Sequence, residues 1–325
     1  MSSVAPSAAP SADRSRAIDV LKLALAFMVV GIHANPFAPL GRTAILLTGD
    51  GLFRLGVPVF LLFNGYFLQA AVSKGRGWAY VRRATQLYAL WMLLYLPIYW
   101  QMLPGHTAWQ NLRSLLFGYW HLWYLAGMAM AAALMVGIAG WSSRALTGLM
   151  ALTFLGGIVV TYGIAWDVIH PNGAIFSDPL SAHRNPLLLC LPFMLAGFLI
   201  RREAVADRLS LGWLQVGAAI GVALVLAESL LLARFALKGV AHDNLISLGL
   251  AAPALMLAAL KWPGTVQGRT LGDYASGVYF IHVAIVALLF RYAELPRPVI
   301  YACAVGGSLL LTWAIRRTGL ARRLL

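Results

Sequence analysis

His33 closes a long apolar run, RAIDVLKLALAFMVVGIHANPF. An imidazole has an unperturbed pKa of about 6.5, which suits it to take a proton from a hydroxyl near neutral pH. Lys22 and Asp19 precede it on the same run. At about 100° and 1.5 Å per residue, the positions from Lys22 to His33 make about three helical turns and ~16 Å, and bring both side chains to one face. Asp19 lies one turn earlier on nearly the same face. Three ionisable groups on one stripe of an apolar helix are costly against lipid, so the stripe should face the interior of a bundle, where it is a candidate site. Asp19 is too many turns from His33 to orient it, and is expected to pair with Lys22 or another group at that end, with a donor-side or structural role.

Three further segments carry polar groups where apolar ones would suffice. The first, GDGLFRLGVPVFLLFNGYFLQ at 49–69, has Asn64 and Gly65 in mid-run. Taken alone, that pair reads as close helix packing with a hydrogen bond between helices. In WHLWYLAG at 120–127, His121 stands among Trp120, Trp123 and Tyr124. An interfacial belt accounts for the aromatic residues and leaves the histidine over. In LGDYASGVYFIHVAI at 271–285, Ser276 and Tyr279 lead into His282. A lone buried histidine is usually a satisfied core residue, but four such segments in one chain shift that balance.

The elements that position these residues follow from composition. The 325 residues are 61% hydrophobic and 11% charged, with a mean hydropathy of +0.77. A hydrocarbon core of ~30 Å takes about 20 apolar residues per helix, and such stretches recur at 17–36, 52–72, 84–103, 121–140, 145–163, 185–200, 212–233, 244–261, 274–292 and 298–315. The expected fold is all-α: a polytopic transmembrane bundle of about ten helices, with 17–325 as one membrane-embedded domain. The short sixth stretch and the polar stretch 104–120 leave room for an eleventh helix. Residues 1–16, rich in Ala, Ser and Pro, read as a disordered cytoplasmic tail. A cleaved signal peptide is not expected, because the first apolar run is too long and ends in HANPF.

The net charge of +14 does not point to nucleic acid, because the basic residues gather at the ends of the runs and form no aromatic-interleaved arm. With loops assigned alternately to the two faces, sixteen of the 25 Lys and Arg residues fall on one side. Lys22 lies within a run, and the other side holds Arg42, Arg54, Arg113, Arg184, Arg234, Lys238, Arg291 and Arg297. This bias predicts an even number of spans with both termini cytoplasmic, and His33 toward the outer face. Cys190 and Cys303 fall inside runs without metal or redox spacing and read as core residues; no metal site is indicated. His106, His170, His183 and His242 fall in or near outer loops and are expected to be solvated, while Asp167, Asp178 and Asp243 are candidates to touch acceptor hydroxyls.

Together the four segments resemble acyltransferase family 3, integral membrane proteins that acylate sugars and other acceptors from acyl-CoA. The resemblance spans the chain and rests on AIDVLKLALAFMVVGIH, RLGVPVFLLFNGYFL, HLWYL and SGVYFIH in that order. It implies a bundle of about ten helices, with a basic residue eleven positions before an essential histidine; Lys22 and His33 fill those places. The likeness is to the branch acting on bacterial surface polysaccharides, exopolysaccharides and their lipid-linked precursors. Two departures stand out. Lys22 is a compact point charge where many relatives carry an arginine fork. Where relatives often have two arginines four apart, Arg82 is followed by Gln86 and Arg83 by Leu87.

The resemblance implies His33 as the base, acetyl-CoA or another acyl-CoA as cosubstrate, and no permanently bound cofactor. The ~16 Å helical rise between Lys22 and His33 matches an extended pantetheine arm, so the CoA phosphates are expected near Lys22, Arg82 and Arg83. Asn64, His121, Trp123, Tyr124, Ser276 and His282 are the expected cavity residues. The implied partners are the lipid bilayer of the bacterial inner membrane, a glycan or lipid-linked oligosaccharide acceptor, and polysaccharide assembly machinery or a second copy of the chain. The competing class is a transporter or flippase with an intramembrane His/Asp/Lys relay. It would claim Glu228 as an extra acidic group, but no inverted repeat supports it. The alternative for Glu228 is a paired carboxylate.

Overall fold

Helix α1 (Arg16–Ala34) starts where the Ser15 side chain accepts the Ile18 N–H, and stops where Asn35 turns left-handed (φ 50°). Pro36 follows at once and cannot continue the helix. The computed structural model to which α1 belongs describes residues 14–100, 105–172 and 179–325. Its other helices are α2 (Arg42–Leu47), α3 (Gly56–Val72), α4 (Gly77–Tyr99), α5 (Ala108–Phe117), α6 (Trp123–Gly137), α7 (Ser143–Ala165), α8 (Pro179–His183), α9 (Leu191–Arg202), α10 (Leu211–Phe235), α11 (Leu248–Lys261), α12 (Thr270–Tyr292), α13 (Arg297–Arg317) and α14 (Ala321–Leu324). A π-helical turn, Pro186–Cys190, leads into α9.

The molecule is an all-α membrane bundle. A helix covers most of each of the ten apolar stretches, but among the described residues seven helical segments are both long and apolar enough to cross a membrane. The other three fall short for visible reasons. Helix α4 carries Arg82 and Arg83 in its first half, α9 has 12 residues, and α11 has 14 with Pro253 inside. The polar stretch around 104–120 forms α5, a short helix opened by a reciprocal capping box between Thr107 and Gln110. One departure from pure helix is a two-residue antiparallel ladder, β1 (Arg14–Ser15) with β2 (Thr265–Val266). The last residues of the 1–16 segment are thus part of the fold; residues 1–13, Asp178 and the end of the 84–103 stretch lie outside the described residues.

The helices that carry the polar segments lie at the centre. Helix α1 runs along α12, α12 along α13, and α3 against α9. The α3–α9 crossing is a reciprocal glycine contact: a Cβ on Gly65 would collide with the Met194 backbone, and one on Gly197 with the Leu62 backbone. This is the close packing expected of Gly65. Helices α7, α10 and α13 present leucines such as Leu152, Leu155, Leu231 and Leu310 outward, as a lipid-facing surface does. Cys190 is buried beside Gly127, but Cys303 is exposed on α13, which corrects its reading as a core residue. Hydropathy could not separate the two, because lipid-facing and core-facing positions are equally apolar.

Contacts sort the loops into two groups. In one, β1 pairs with β2, Arg83 Nη1 donates to the Arg322 carbonyl (3.4 Å), Arg202 Nη1 to Trp141 O (2.9 Å), Lys261 Nζ to Ala206 O (3.0 Å) and Arg316 Nη2 to Thr270 Oγ1 (2.9 Å). In the other, the Leu237 N–H reaches Ala165 O (2.9 Å) and Lys238 approaches Asp167 (3.5 Å). Both groups match the division made by charge.

Candidate active site

The left-handed Asn35 cap leaves His33 in the last turn of α1. Its ring centroid lies 5.2 Å from that of His282 and 6.3 Å from that of His121, and His121 and His282 are 5.3 Å apart. Three histidines from three separate elements thus form one cluster. His282, on α12, is fully buried, and its Nδ1 lies 2.9 Å from the Val278 carbonyl one turn back. A carbonyl only accepts, so in the neutral ring Nδ1 holds the proton and Nε2 keeps a lone pair. That Nε2 is buried and makes no hydrogen bond among the described residues.

His121 is placed by a tight turn before α6. Gly118 takes φ +89°, where a Cβ would strike the Leu122 backbone, and Trp120 is left-handed at φ +40°. A left-handed tryptophan is backbone strain next to a chemistry-capable side chain. The Tyr279 hydroxyl holds the turn by donating to the His121 carbonyl (2.7 Å). Tyr95 locks α4 to α12: its hydroxyl donates to Phe280 O (2.7 Å) and accepts the Ala284 N–H (3.1 Å). No group of three or more His, Cys, Asp or Glu side chains among the described residues is arranged to hold a metal ion.

His33 and His121 line a cavity of about 660 Å³, together with Trp123, Tyr124, Tyr279, Arg54, Arg113, Arg184 and Asp243. That is large enough for a small-molecule site. His282 sits behind the other two histidines and does not line it. Asn64 does not line it either. Its Nδ2 donates to Phe60 O (2.8 Å) and to the Tyr124 hydroxyl (2.7 Å), while its Oδ1 accepts the Tyr80 hydroxyl (2.6 Å). With both amide hydrogens engaged, Asn64 positions Tyr124 and has no donor left for a substrate. Tyr124 spends a lone pair on Asn64, which leaves its own hydrogen to point at the cavity.

The cavity rim is charged. Asp243 Oδ1 accepts Arg54 Nη1 (2.8 Å), and its Oδ2 accepts Nε (2.9 Å) and Nη2 (2.5 Å) of Arg184. Arg54 is fixed further by Asp50 Oδ1 (2.9 Å) and the Gly49 carbonyl (2.8 Å). Arg184 stands over the Trp123 ring at 5.1 Å. It precedes Asn185, whose Oδ1 caps the π-turn by accepting the Leu187 and Leu188 N–H groups. Burial opposes ionisation of Asp243, but Arg184 and Arg54, with His183 nearby, outweigh it and hold the carboxyl well below the usual carboxylate range.

The loop histidines correct an expectation. His170 is exposed beside Asp167, as solvation predicts, and His106 is half-buried against the Tyr99 hydroxyl. His183 and His242, however, are buried at 0% and 5% exposure. His242 Nδ1 lies 3.0 Å from both the Asp50 carbonyl and Ser229 Oγ. Since the serine hydroxyl donates to Leu46 O (2.8 Å), Nδ1 must carry the proton. Glu228 is a paired carboxylate: it accepts the Tyr162 hydroxyl and the N–H groups of Ile246 and Ser247.

The other candidates lie apart from this cavity. Lys22 packs its ammonium over Phe63 (5.0 Å) and Phe67 (4.7 Å), and Asp19 is buried in the first turn of α1. Arg82 and Arg83 are exposed on α4, and Ser276, half-buried on α12, does not line the cavity. Arg54, Arg184 and Tyr279 escaped notice as site residues. Arg54 could have been flagged as a cation inside an apolar stretch, and Tyr279 by its spacing three residues before His282.

A family model described as an acyltransferase domain matches residues 15–317. The chain belongs to acyltransferase family 3. Similar curated proteins include an "Amino-acid racemase" of Enterococcus faecalis, 25% identical over 317 residues, covering 86% of this chain and 42% of that protein. A "Serine/alanine racemase" of Enterococcus gallinarum is 26% identical over 294 residues, covering 84% of this chain and 41% of that protein. The chain therefore spans less than half the length of these relatives. No solved structure gives a significant match. For a member of acyltransferase family 3, the arrangement offers a base, a buried imidazole behind it and a hydroxyl donor, all at one end of α1.

Proposed function

We propose that this protein moves an acyl group, acetyl foremost, from cytoplasmic acyl-CoA to a sugar hydroxyl of a surface or secreted polysaccharide or its lipid-linked precursor, at the bacterial inner membrane. The observation that carries the reading is the convergence of His33, His121 and His282, from three of the four polar segments, into one cluster, with His33 and His121 lining the cavity and His282 behind them. The family match supports the acyl chemistry.

In this reading a ring nitrogen of His33 takes the acceptor hydroxyl's proton as the oxygen attacks the thioester carbonyl. The Tyr124 hydroxyl, held by Asn64, donates to the carbonyl oxygen as it becomes an oxyanion. The tetrahedral adduct collapses by breaking the C–S bond, and the proton on His33 passes to the departing thiolate. His282 Nε2, with its lone pair, stabilises the charged ring of His33 by accepting from it. The CoA phosphates sit near Lys22, Arg82 and Arg83, one pantetheine length from His33. The loop contacts at the basic end, where β1 meets β2 and Arg83 meets Arg322, support both termini facing the cytoplasm.

The test is transfer of label from radiolabelled acetyl-CoA to endogenous glycan, in membranes holding wild-type protein or His33→Ala at matched folded abundance. Transfer that disappears with His33→Ala is the expected result. Undiminished transfer by the variant refutes the role of His33. No transfer by the wild type, with the glycan acceptor shown to be present, turns the reading toward transport.

A further inference from the structure

The chain has eleven tryptophans, and the fold sorts them into three places. Eight are exposed, from Trp78 to Trp313, as an interfacial belt requires. Trp91 is buried against Phe280. Trp120 and Trp123 belong to neither group: both are half-buried and line the cavity that holds His33, so the belt that accounts for aromatic residues at a span end does not account for these two. Trp120 is also where the backbone turns left-handed (φ 40°), a conformation that glycine or asparagine takes at far lower cost than a bulky side chain. Strain of this kind persists where the side chain it delivers is needed. The indole arrives braced: it stands edge to face with Tyr95 (82°) and Tyr99 (84°), and Tyr99 is itself stacked on Tyr119.

We propose that Trp120, with Trp123 beside it, is a stacking wall for the acceptor, which takes the C–H face of a pyranose ring and so holds one of its hydroxyls toward His33. The proposal rests on the acyl-transfer reading, which supplies a sugar as the ligand. A pyranose is amphipathic: the C–H bonds of one face meet an aromatic ring, while the hydroxyls need partners at the ring edge. The cavity offers both kinds of surface. Phe117 and Phe290 line it with the two indoles. Ser114 lines it too, and its hydroxyl, which accepts from Tyr99 (2.9 Å), keeps a hydrogen to give. Arg184 already serves Asp243 and the Trp123 ring, and Arg54 serves Asp243 and Asp50; recognition by ring face and hydroxyl calls on neither cation.

The experiment measures thermal unfolding of the full chain in lipid nanodiscs with methyl α-glucoside, methyl α-mannoside, methyl β-galactoside, and sorbitol, an acyclic polyol with no ring face. Any polyol raises Tm by its exclusion from the protein surface, without saturating; a bound ligand raises it saturably. The expected result is a saturable rise with at least one pyranoside, beyond that of equimolar sorbitol. Trp120→Gly relieves the left-handed strain and removes the indole, so the variant should fold and its apparent Kd for that pyranoside should rise about tenfold or more, while Trp120→Phe retains part of the response. Trp123→Leu carries the test if Trp120→Gly fails to fold. No pyranoside exceeding sorbitol overturns the proposal. So does a response kept in full by Trp120→Gly, or by Trp123→Leu where that variant stands in for it. Binding is read without turnover. Pyranoside binding that needs Trp120, in a protein that transfers no label from acetyl-CoA, therefore defeats the acyl-transfer reading and leaves the wall standing.

Discussion

The floor and the rim of the cavity are built by opposite means. The floor, with the histidine behind it, is helical: His33 and His282 stand on α1 and α12, with His121 at the mouth of α6, held by backbone hydrogen bonds and tyrosine hydroxyls. The rim is ionic and belongs to loops and short turns, with Arg54, Arg184 and Asp243 drawn from three places far apart in sequence. A helix fixes a side chain to within its rotamers and so suits a proton transfer that tolerates little misplacement. A loop brought to order by an ion pair fixes charge and shape, which suits recognition. The two regions should therefore fail differently when altered: the floor in rate, the rim in folding and affinity.

The sharpest break is at the floor. His33→Gln should lower kcat for acetyl transfer by about 10²- to 10⁴-fold with little change in KM, the signature of a lost proton acceptor; steady-state kinetics on nanodisc-embedded protein measures it. At the rim, Asp243→Asn leaves two guanidiniums without their shared carboxylate and should destabilise the fold by about 3–5 kcal/mol. Adding Arg184→Gln should recover part of that loss in thermal unfolding. Asn64→Leu frees Tyr124 from its holder and should cost about 1–2 kcal/mol of transition-state stabilisation. Combined with Tyr124→Phe it should cost little more than Tyr124→Phe alone, because both remove one device.

The smallest effect is a pH dependence at the rim. Burial pushes the His242 imidazole down from its ordinary pKa, against the opposing pull of Asp50 and with help from Arg54. The folded chain therefore keeps His242 neutral while the unfolded chain takes up a proton below about pH 6.5. Its contribution to stability is complete above that pH and falls as the solution is acidified toward the depressed folded value. Replacing His242 with Gln should flatten this part of the Tm-against-pH curve. Asp243, with its pKa held low, adds its own loss of stability only at lower pH, once the unfolded carboxyl begins to protonate near its ordinary pKa of about 3.9.

The floor was largely legible in the sequence and the rim was not, for a physical reason. Helical periodicity announces itself within a few residues, so His33, His121 and His282 each stood out against an apolar run, and Asn64 with Gly65 signalled the packing of α3. What joins Arg54 to Asp243 is a contact across 189 positions, and Arg184 to Asp243 one across 59. No local pattern encodes either. The burial of His183 and His242 was hidden likewise, since loop position suggests water until the partners are known. Asn64 was legible as important while its role was not: an amide that contacts substrate and one that holds a tyrosine leave the same mark on a sequence.

The short ladder between Arg14–Ser15 and Thr265–Val266 takes on a meaning from where its strands lead. One strand runs directly into α1 and the other lies just before α12, the helices that carry His33 and His282. A slip of one residue along a helix shifts a side chain by about 1.5 Å and turns it by about 100°, enough to part the two imidazoles. Four paired residues at one end of the molecule thus work as an alignment key for chemistry at the other. Lengthening the 267–269 connection, between β2 and α12, would leave every site residue in place in the sequence and uncouple the ladder from the helix that carries His282.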